Sequence, residues 1–519
     1  MVLPEHYYNG LRGQEKLGPK HIYSNNEIGG ARTMQLLTVH EHPKLGGKNN
    51  LWPTIRTETV RILDLKKIQF SSVDLVRFRW EPTENDRGGP ITSNVTIWIG
   101  VLPNSTNADA ASNCAKDIID FLDHNKINDI DVAFRESEAY LLTRPILYTS
   151  VKDVYERDNV FDWLGTPLSF PIAGLSTPNK EGSLGCYFKI GEDLYGVTAR
   201  HVLFQPGEGN NLYISETSAT KDVILMGDKA YQDVLTSIQN LIHILTDSRR
   251  PLYRKVKSHK EGVEDGKQGA QQKLEQYQPN LDDTDIALET LKRLLENLQR
   301  DWAEVNKRVI GHVVWSPPIT SLDRSHSIQD VCVIKLNKDK LLPALLGNIE
   351  LIRGIGSGKF MGLLSSQFDY PEGRLQQLKN ILDDAKAQGP NNGEPMRFVF
   401  KRGTTTLTTL GRLNDFDSYV RRYDISGYFD FVHAAVYRYD NDSGPFSRLG
   451  DSGAAIYGTN NVIVAQLIGG AGSLTDIDIT YGTRMEPLWK VIKEQFPTAH
   501  FFFDDRWHLE VNTNTYHHK

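Results

Sequence analysis

Four residues near the C-terminal end, Gly450-Asp451-Ser452-Gly453, constrain this chain more than any other stretch. They sit in Leu449–Ile456, where small residues hold one Ser between two glycines. A Ser hydroxyl attacks a carbonyl only when its oxygen is exposed and a base takes its proton. The oxyanion that forms needs backbone N–H donors aimed at it, and a Gly two residues earlier lets the backbone come close. Average composition yields this tetrapeptide by chance in a chain of this size about one time in a hundred. Without a base elsewhere, an Asp-Ser-Gly turn is the plainer account.

A base is present. Tyr195–Phe204 is an apolar run broken by Thr198-Ala199-Arg200-His201, which suits a His held rigidly just after a strand. The third member of such a set is a buried carboxylate that fixes the His tautomer. Asp330, opening the alternating stretch Asp330–Leu336, is the candidate. Asp285, in Asp285-Ile286-Ala287-Leu288, is a rival. It is set aside because Asp283, Thr284 or Asp285 suits the start of a helix as N-cap or first-turn acid.

These three blocks, in the order His, Asp, Ser, resemble the active-site blocks of trypsin-like (chymotrypsin-fold) serine proteases. A fourth block, Lys401-Arg402-Gly403-Thr404-Thr405-Thr406-Leu407-Thr408-Thr409-Leu410-Gly411, resembles the strand pair ahead of the nucleophile in intracellular members, with Leu407 where Gly is usual. The style is closest to intracellular fungal members, and the resemblance spans roughly residues 165–495. It implies a serine endopeptidase working through an acyl-enzyme, with Ser452 as nucleophile, His201 as base and Asp330 orienting it. It also implies an oxyanion hole from the N–H groups of Gly450 and Ser452. The strand Val462–Ile468 and the glycines after it would line the substrate pocket through Gln466, Gly469 and Gly470, and the glycines would leave it open. Phe446, six residues before Ser452, would stand at the pocket floor, so no preference for Lys or Arg is expected. In zymogen-activated relatives the residue at Asp451 pairs with a newly cut N-terminus. No cut site is evident here, and Asp451 is expected to be structural. No cofactor or metal is implied. Two alternatives stay open: a latent or inactive protease-fold scaffold that binds a protein partner, and an esterase using the same three groups. The Gly-x-Ser-x-Gly elbow of α/β-hydrolases is absent.

The 519 residues suit two or three domains. A net charge of −6 gives no basic footprint for nucleic acid. Cys114, Cys186 and Cys332 are few, odd in number and far apart, which favours a reducing compartment. The first residues lack a basic stretch followed by an apolar run, and no apolar run reaches the length of a membrane helix. An intracellular, cytoplasmic location is the expectation, without nucleic-acid or membrane partners.

The expected fold class is multidomain α+β: an N-terminal α/β domain, then a two-barrel antiparallel β domain carrying a helical-hairpin insertion. Residues 1–50 read as a flexible arm and 496–519 as a tail. Residues 51–160 read as a separate α/β unit, with strands Val73–Trp80, Val95–Leu102 and Asp131–Arg135 and an amphipathic helix over 107–124. No glycine fingerprint follows its first strand, so an interaction or docking role is expected. The protease-like region covers 165–495. Between His201 and Asp330 lie two seams, Tyr231, Leu235, Ile238, Ile242, Leu245 and Leu288, Leu291, Leu295, Leu298, Trp302, Val305, which step by three and four. They predict a helical hairpin over 228–308, with the polar residues 255–280 as a mobile loop. Its role is either structural or that of an arm for a regulatory partner or self-association. Arg353–Lys359 has the wrong spacing for a phosphate loop. Residues 374–395 predict a short helix and a turn, and Tyr481–Phe496 a closing amphipathic helix.

Overall fold

The structure, a computed structural model, describes residues 7–9, 34–47, 49–80, 91–141, 170–216, 218–319, 330–337, 397–424, 427–439, 444–458, 463–472 and 477–501. The phosphate-loop-like stretch 353–359 and the expected helix over 374–395 lie outside these residues.

The first part of the chain supplies β1 (Tyr7–Asn9), β2 (Met34–Leu37), β3 (Phe70–Trp80), β4 (Ile91–Thr92), β5 (Val95–Val101), β6 (Ile130–Glu136) and β7 (Glu138–Leu141). Next come β8 (Pro171–Gly174), β9 (Thr177–Ser183), β10 (Cys186–Ile190), β11 (Asp193–Thr198), β12 (Tyr213–Ile214), β13 (Asp222–Leu225), β14 (Val309–Ser316) and β15 (Cys332–Leu336). The last part supplies β16 (Phe398–Gly403), β17 (Leu407–Leu413), β18 (Ser418–Asp424), β19 (Gly427–Arg438), β20 (Ala455–Gly458), β21 (Ile463–Gly472) and β22 (Ile477–Arg484). Large antiparallel sheets dominate this mixed α/β fold. An eight-stranded sheet runs β10-β11-β15-β14-β13-β8-β9, with β12 on β14.

The second sheet has 14 strands, β1–β7 from the first part of the chain and β16–β22 from the last. Its N-terminal portion is built as the apolar patterns require. β5 is buried along its whole length, as a near-continuous apolar run predicts. The helix Ala108–His124 follows, capped by Asn107, whose side chain accepts the Ala110 N–H at 2.9 Å. It buries Ala111, Cys114, Ile118 and Leu122, and β6 then returns parallel to β5. A second helix, Trp52–Leu65, which the sequence analysis did not predict, covers the same core.

The separateness expected for residues 51–160 is corrected by backbone pairing. β3 joins β18 at Val73–Tyr419 and Ser72–Val420, and β7 joins β21. Side chains reinforce the seam. Tyr481 donates to Asp74 at 3.0 Å, Tyr437 to the Leu75 carbonyl at 3.0 Å, and Trp52 to the Asp417 carbonyl at 2.8 Å. Buried Arg135 stacks 3.6 Å over Trp98 and pairs with Asp478. The arm expected over 1–50 is also ordered in part: β1 pairs with β6 and β2 with β3, and Val39 and Leu45 are fully buried.

The insertion is a pair of long helices, Asp228–Glu264 and Ala270–Asp301. Its seam buries Tyr231, Ile238, Leu245, Leu288, Leu291 and Leu298, while Leu235, Ile242, Leu295 and Trp302 are partly buried. The polar stretch 255–280 is helix rather than loop except at the short turn around Gly266 and Gly269. An outlying hairpin needs only one inner face: Val256 is buried there and His259 stacks on Tyr277 at 5.8 Å. Arg308 ties down the base by donating to the carbonyls of Met226 and Gly227 at 2.7 and 2.9 Å. The closing helix starts at Met485, because Ile477–Arg484 pairs in the sheet as β22. The three cysteines are buried and free, and burial pushes each thiol up to about 12.

Candidate active site

Strand pairing sets His201 beside Asp330. β11 and β15 are antiparallel with Thr198 opposite Cys332. The residues just after Thr198 therefore lie next to those just before Cys332. A single turn of helix, Arg200–Leu203, begins there. Buried Arg200 holds that turn by donating to Ser316, Pro317 and Asn211 oxygens at 2.8–3.0 Å. His201 Nδ1 lies 2.5 Å from Asp330 Oδ2, and the His201 backbone N–H donates to Asp330 Oδ1 at 3.1 Å. Burial alone would raise the Asp330 carboxyl. The His201 charge and hydrogen bonds, with Arg422 nearby, outweigh it and hold Asp330 below the usual carboxylate range.

Ser452 comes from the other sheet. Its Oγ is 2.9 Å from His201 Nε2, and 3.3 Å from the Ile468 carbonyl. Ser452, His201 and Asp330 thus form one hydrogen-bonded line across the two sheets. Hydrogen bonds hold the sheets together here: the Ser183 N–H donates to the Ser452 carbonyl at 2.7 Å, and the Thr404 N–H to the Ser183 hydroxyl at 3.0 Å. Gly453 has φ +91°, and a Cβ there would lie 2.2 Å from the Ser183 carbonyl. Gly450 also has positive φ, +98°. Among the described residues, the N–H groups of Gly450 and Ser452 donate to no protein atom.

Asp451 points away from this line and is fully buried. Its carboxylate accepts from the N–H groups of Thr405, Thr406 and Arg448 at 2.7, 3.1 and 2.9 Å, and from the Thr406 hydroxyl at 2.6 Å. The Lys401 ammonium completes the set at 3.1 Å. Burial pulls the Lys401 pKa below the usual Lys value, and the Asp451 charge offsets part of that. Sequence reasoning noted the Lys401–Gly411 block by likeness without assigning its residues this partner. The signal was there: a Lys and a Thr pair on a tight turn, preceding an Asp that must be buried.

The four pocket candidates fall in different places. Phe446 is a core residue, packed against the Gly411 backbone and 5.6 Å from Lys401 Nζ. Gln466 is buried on β21 opposite Ala455 and Thr483, and neither its amide oxygen nor its nitrogen has a hydrogen bond among the described residues. Gly469 and Gly470 belong to β21 and pair with β7. A Cβ on Gly469 would lie 2.4 Å from the Tyr140 carbonyl, and one on Gly470 would lie 2.6 Å from Ile477. These glycines admit neighbouring chain, not an open pocket. The rival Asp285 lies mid-helix and pairs with Arg249, so it is neither a helix start nor part of the Ser–His–Asp line.

Buried His433 is a group that sequence reasoning missed. It lies on β19, stacked on Phe431 at 5.4 Å, and feels the Asp330 charge. Burial lowers its pKa to about 4. Among the described residues, no group of three or more His, Cys, Asp or Glu side chains could hold a metal ion, and no helix is long and apolar enough to cross a membrane.

No protein-family model matches the chain, and no curated protein matches it. Among solved structures, it is similar to a glutamic-acid-specific serine protease that uses a novel histidine triad in substrate binding. That similarity has a TM-score of 0.24 at 10% identity, covering 64% of this chain and 97% of the other.

Proposed function

We propose that this chain is a serine endopeptidase of the trypsin-like type, with its two β sheets forming the two halves of a chymotrypsin-like domain. The observation that carries the reading is the continuous line from Ser452 Oγ through His201 to Asp330, with spacings of 2.9 and 2.5 Å. Ser452 Oγ attacks the peptide carbonyl as His201 Nε2 takes its proton. Asp330 keeps the other ring nitrogen protonated and stabilises the charged imidazole. The free N–H groups of Gly450 and Ser452 receive the oxyanion. His201 then protonates the leaving amine, and water hydrolyses the acyl-enzyme by the same route. The Lys401–Asp451 pair supplies the internal cation that would hold this loop formed without a cut N-terminus.

The pairing of β7 with Gly469–Gly472 favours a second reading, an enzyme held latent by its own chain. Labelling with a fluorophosphonate probe tests the first. Wild type is expected to label, and Ser452→Ala and His201→Ala are expected not to. Labelled protein that hydrolyses activated esters but no peptide would replace the endopeptidase by an esterase.

A further inference from the structure

The two helices of the hairpin carry opposite charge at the same level. From Ser248 to Lys260 the first holds Arg249, Arg250, Arg254, Lys255, Lys257 and Lys260 and no acid, and Asp247 and Glu261 bound the stretch. From Leu274 to Leu291 the second holds Glu275, Asp282, Asp283, Asp285 and Glu289 and no Lys or Arg, and Lys273 and Lys292 bound it. The stretches stand side by side, because Arg249 pairs with Asp285 near one end and His259 stacks on Tyr277 toward the other. They also share one broad face. Arg249, which reaches Asp285, lies 5.4 Å over the Tyr253 ring, so Tyr253 and Asp285 flank the same side. Steps of three and four carry that side along each helix: Arg250, Tyr253, Lys257 and Lys260 on the first, Glu275, Gln278, Asp282, Asp285 and Glu289 on the second.

Little of this charge is used within the hairpin. Among the described residues, Arg249–Asp285 is the one ion pair between the two stretches. Arg254, Lys257, Lys260, Glu275, Asp282 and Asp283 are exposed and have no ion-pair partner among the described residues. Arg250 and Glu289 pair along their own helices, with Asp247 and Arg293. Tyr253 is 49% exposed within the basic stripe.

We propose that this face binds the same face of a second copy of the chain, the two hairpins stacking into a four-helix bundle with each basic stripe on the other copy's acidic stripe. A two-fold axis parallel to the hairpin does this without any shift, because the opposite charges already stand at one level, and it matches both stripes at once. A polyanion fits the face less well. It would gain at the basic stripe but be repelled by acids one helix away, at about 10 Å, which is within the screening length. In the bundle the charges set partner and register, and Tyr253 is the aromatic anchor between them.

The test is sedimentation equilibrium of the purified full chain beside two charge-reversed variants. One carries Arg254→Glu, Lys257→Glu and Lys260→Glu, the other Glu275→Lys, Asp282→Lys and Asp283→Lys. Wild type is expected as a dimer whose dissociation constant rises about tenfold or more between about 0.1 M and 1 M salt, as the screening length falls from about 10 to 3 Å. Each variant, with the circular dichroism of wild type, is expected to be monomeric alone, and the two mixed are expected to form a heterodimer. Tyr253→Ser, a single change at an exposed position, should weaken the wild-type dimer about tenfold. Ser452→Ala should dimerise as wild type does. Wild type that stays monomeric at about 100 μM in low salt would overturn the proposal. Binding of heparin or anionic lipid vesicles by that monomer would assign the basic stripe to a polyanion instead. A dimer that survives both reversals, or variants that stay apart on mixing, would also sink it.

Discussion

The Lys401 ammonium lies 3.1 Å from the Asp451 carboxylate, and neither side chain is exposed at all. Removing one partner of such a pair leaves a charge buried alone, which costs about 3–5 kcal/mol. Lys401→Met should therefore lower the unfolding free energy by that amount and abolish labelling of Ser452. Replacing both, as Lys401→Met with Asp451→Asn, should recover part of the stability. Chemical denaturation of these two variants beside wild type decides it, and a near-neutral Lys401→Met would show that the pair does not hold the loop.

Asp330→Asn should leave the fold intact but lower kcat by about 10⁴-fold, since an amide holds the wrong His201 tautomer. Asp285→Ala should change neither the fold nor kcat. Its pair with Arg249 is well exposed, and solvent screens such pairs until they contribute little. Steady-state kinetics on both variants separates the two aspartates, and a large loss in Asp285→Ala would reverse their assignment.

Buried His433 gives the molecule an acid sensitivity. Its ring holds a proton only near pH 4 when folded but at the ordinary 6.5 when unfolded. The unfolded chain thus binds the extra proton between these values. Stability should fall by up to about 3 kcal/mol as pH drops from 6.5 to 4 and level off below. His433→Phe, which keeps the stack on Phe431, should flatten that slope. The depressed Asp330 carboxyl adds a separate loss only below the ordinary carboxylate value of 3.8. Urea midpoints across this range provide the check, and equal slopes in both proteins would refute the assignment.

Gly453→Ala should be among the most damaging single-methyl changes. The backbone there has φ +91°, and the new carbon would sit 2.2 Å from the Ser183 carbonyl and 2.3 Å from Thr198 Oγ1. Gly207→Ala, with nothing within 4 Å of its Cβ, is the control. Comparable melting temperatures for the two variants would mean that the loop relaxes freely.

What was legible in the sequence was local. His201, Asp330 and Ser452 each sit in a short block whose residue types serve one neighbour, so each could be read alone. The two heptad seams were legible for the same reason. Backbone pairing between distant strands leaves no such trace. Glu138–Leu141 is half-buried and lacks alternation, so nothing in it announces a partner at Gly469–Gly472. The same holds for Ser72 and Val73 against Val420 and Tyr419. Polarity misled over 255–280, because a two-helix hairpin buries one narrow stripe and leaves the rest wet. Pro251 and Pro279 lie inside the two helices without ending them.

Three thiols, all buried and with pKa values pushed to about 12, are chemically silent in the native protein at neutral pH. A single Cys introduced on the exposed tip of the helical hairpin, for instance at Lys267, would then be the one reactive sulfur for maleimide dyes or cross-linkers among the described residues. The wild-type background needs no prior cysteine removal, and growing reactivity of the native thiols would itself time the opening of the core.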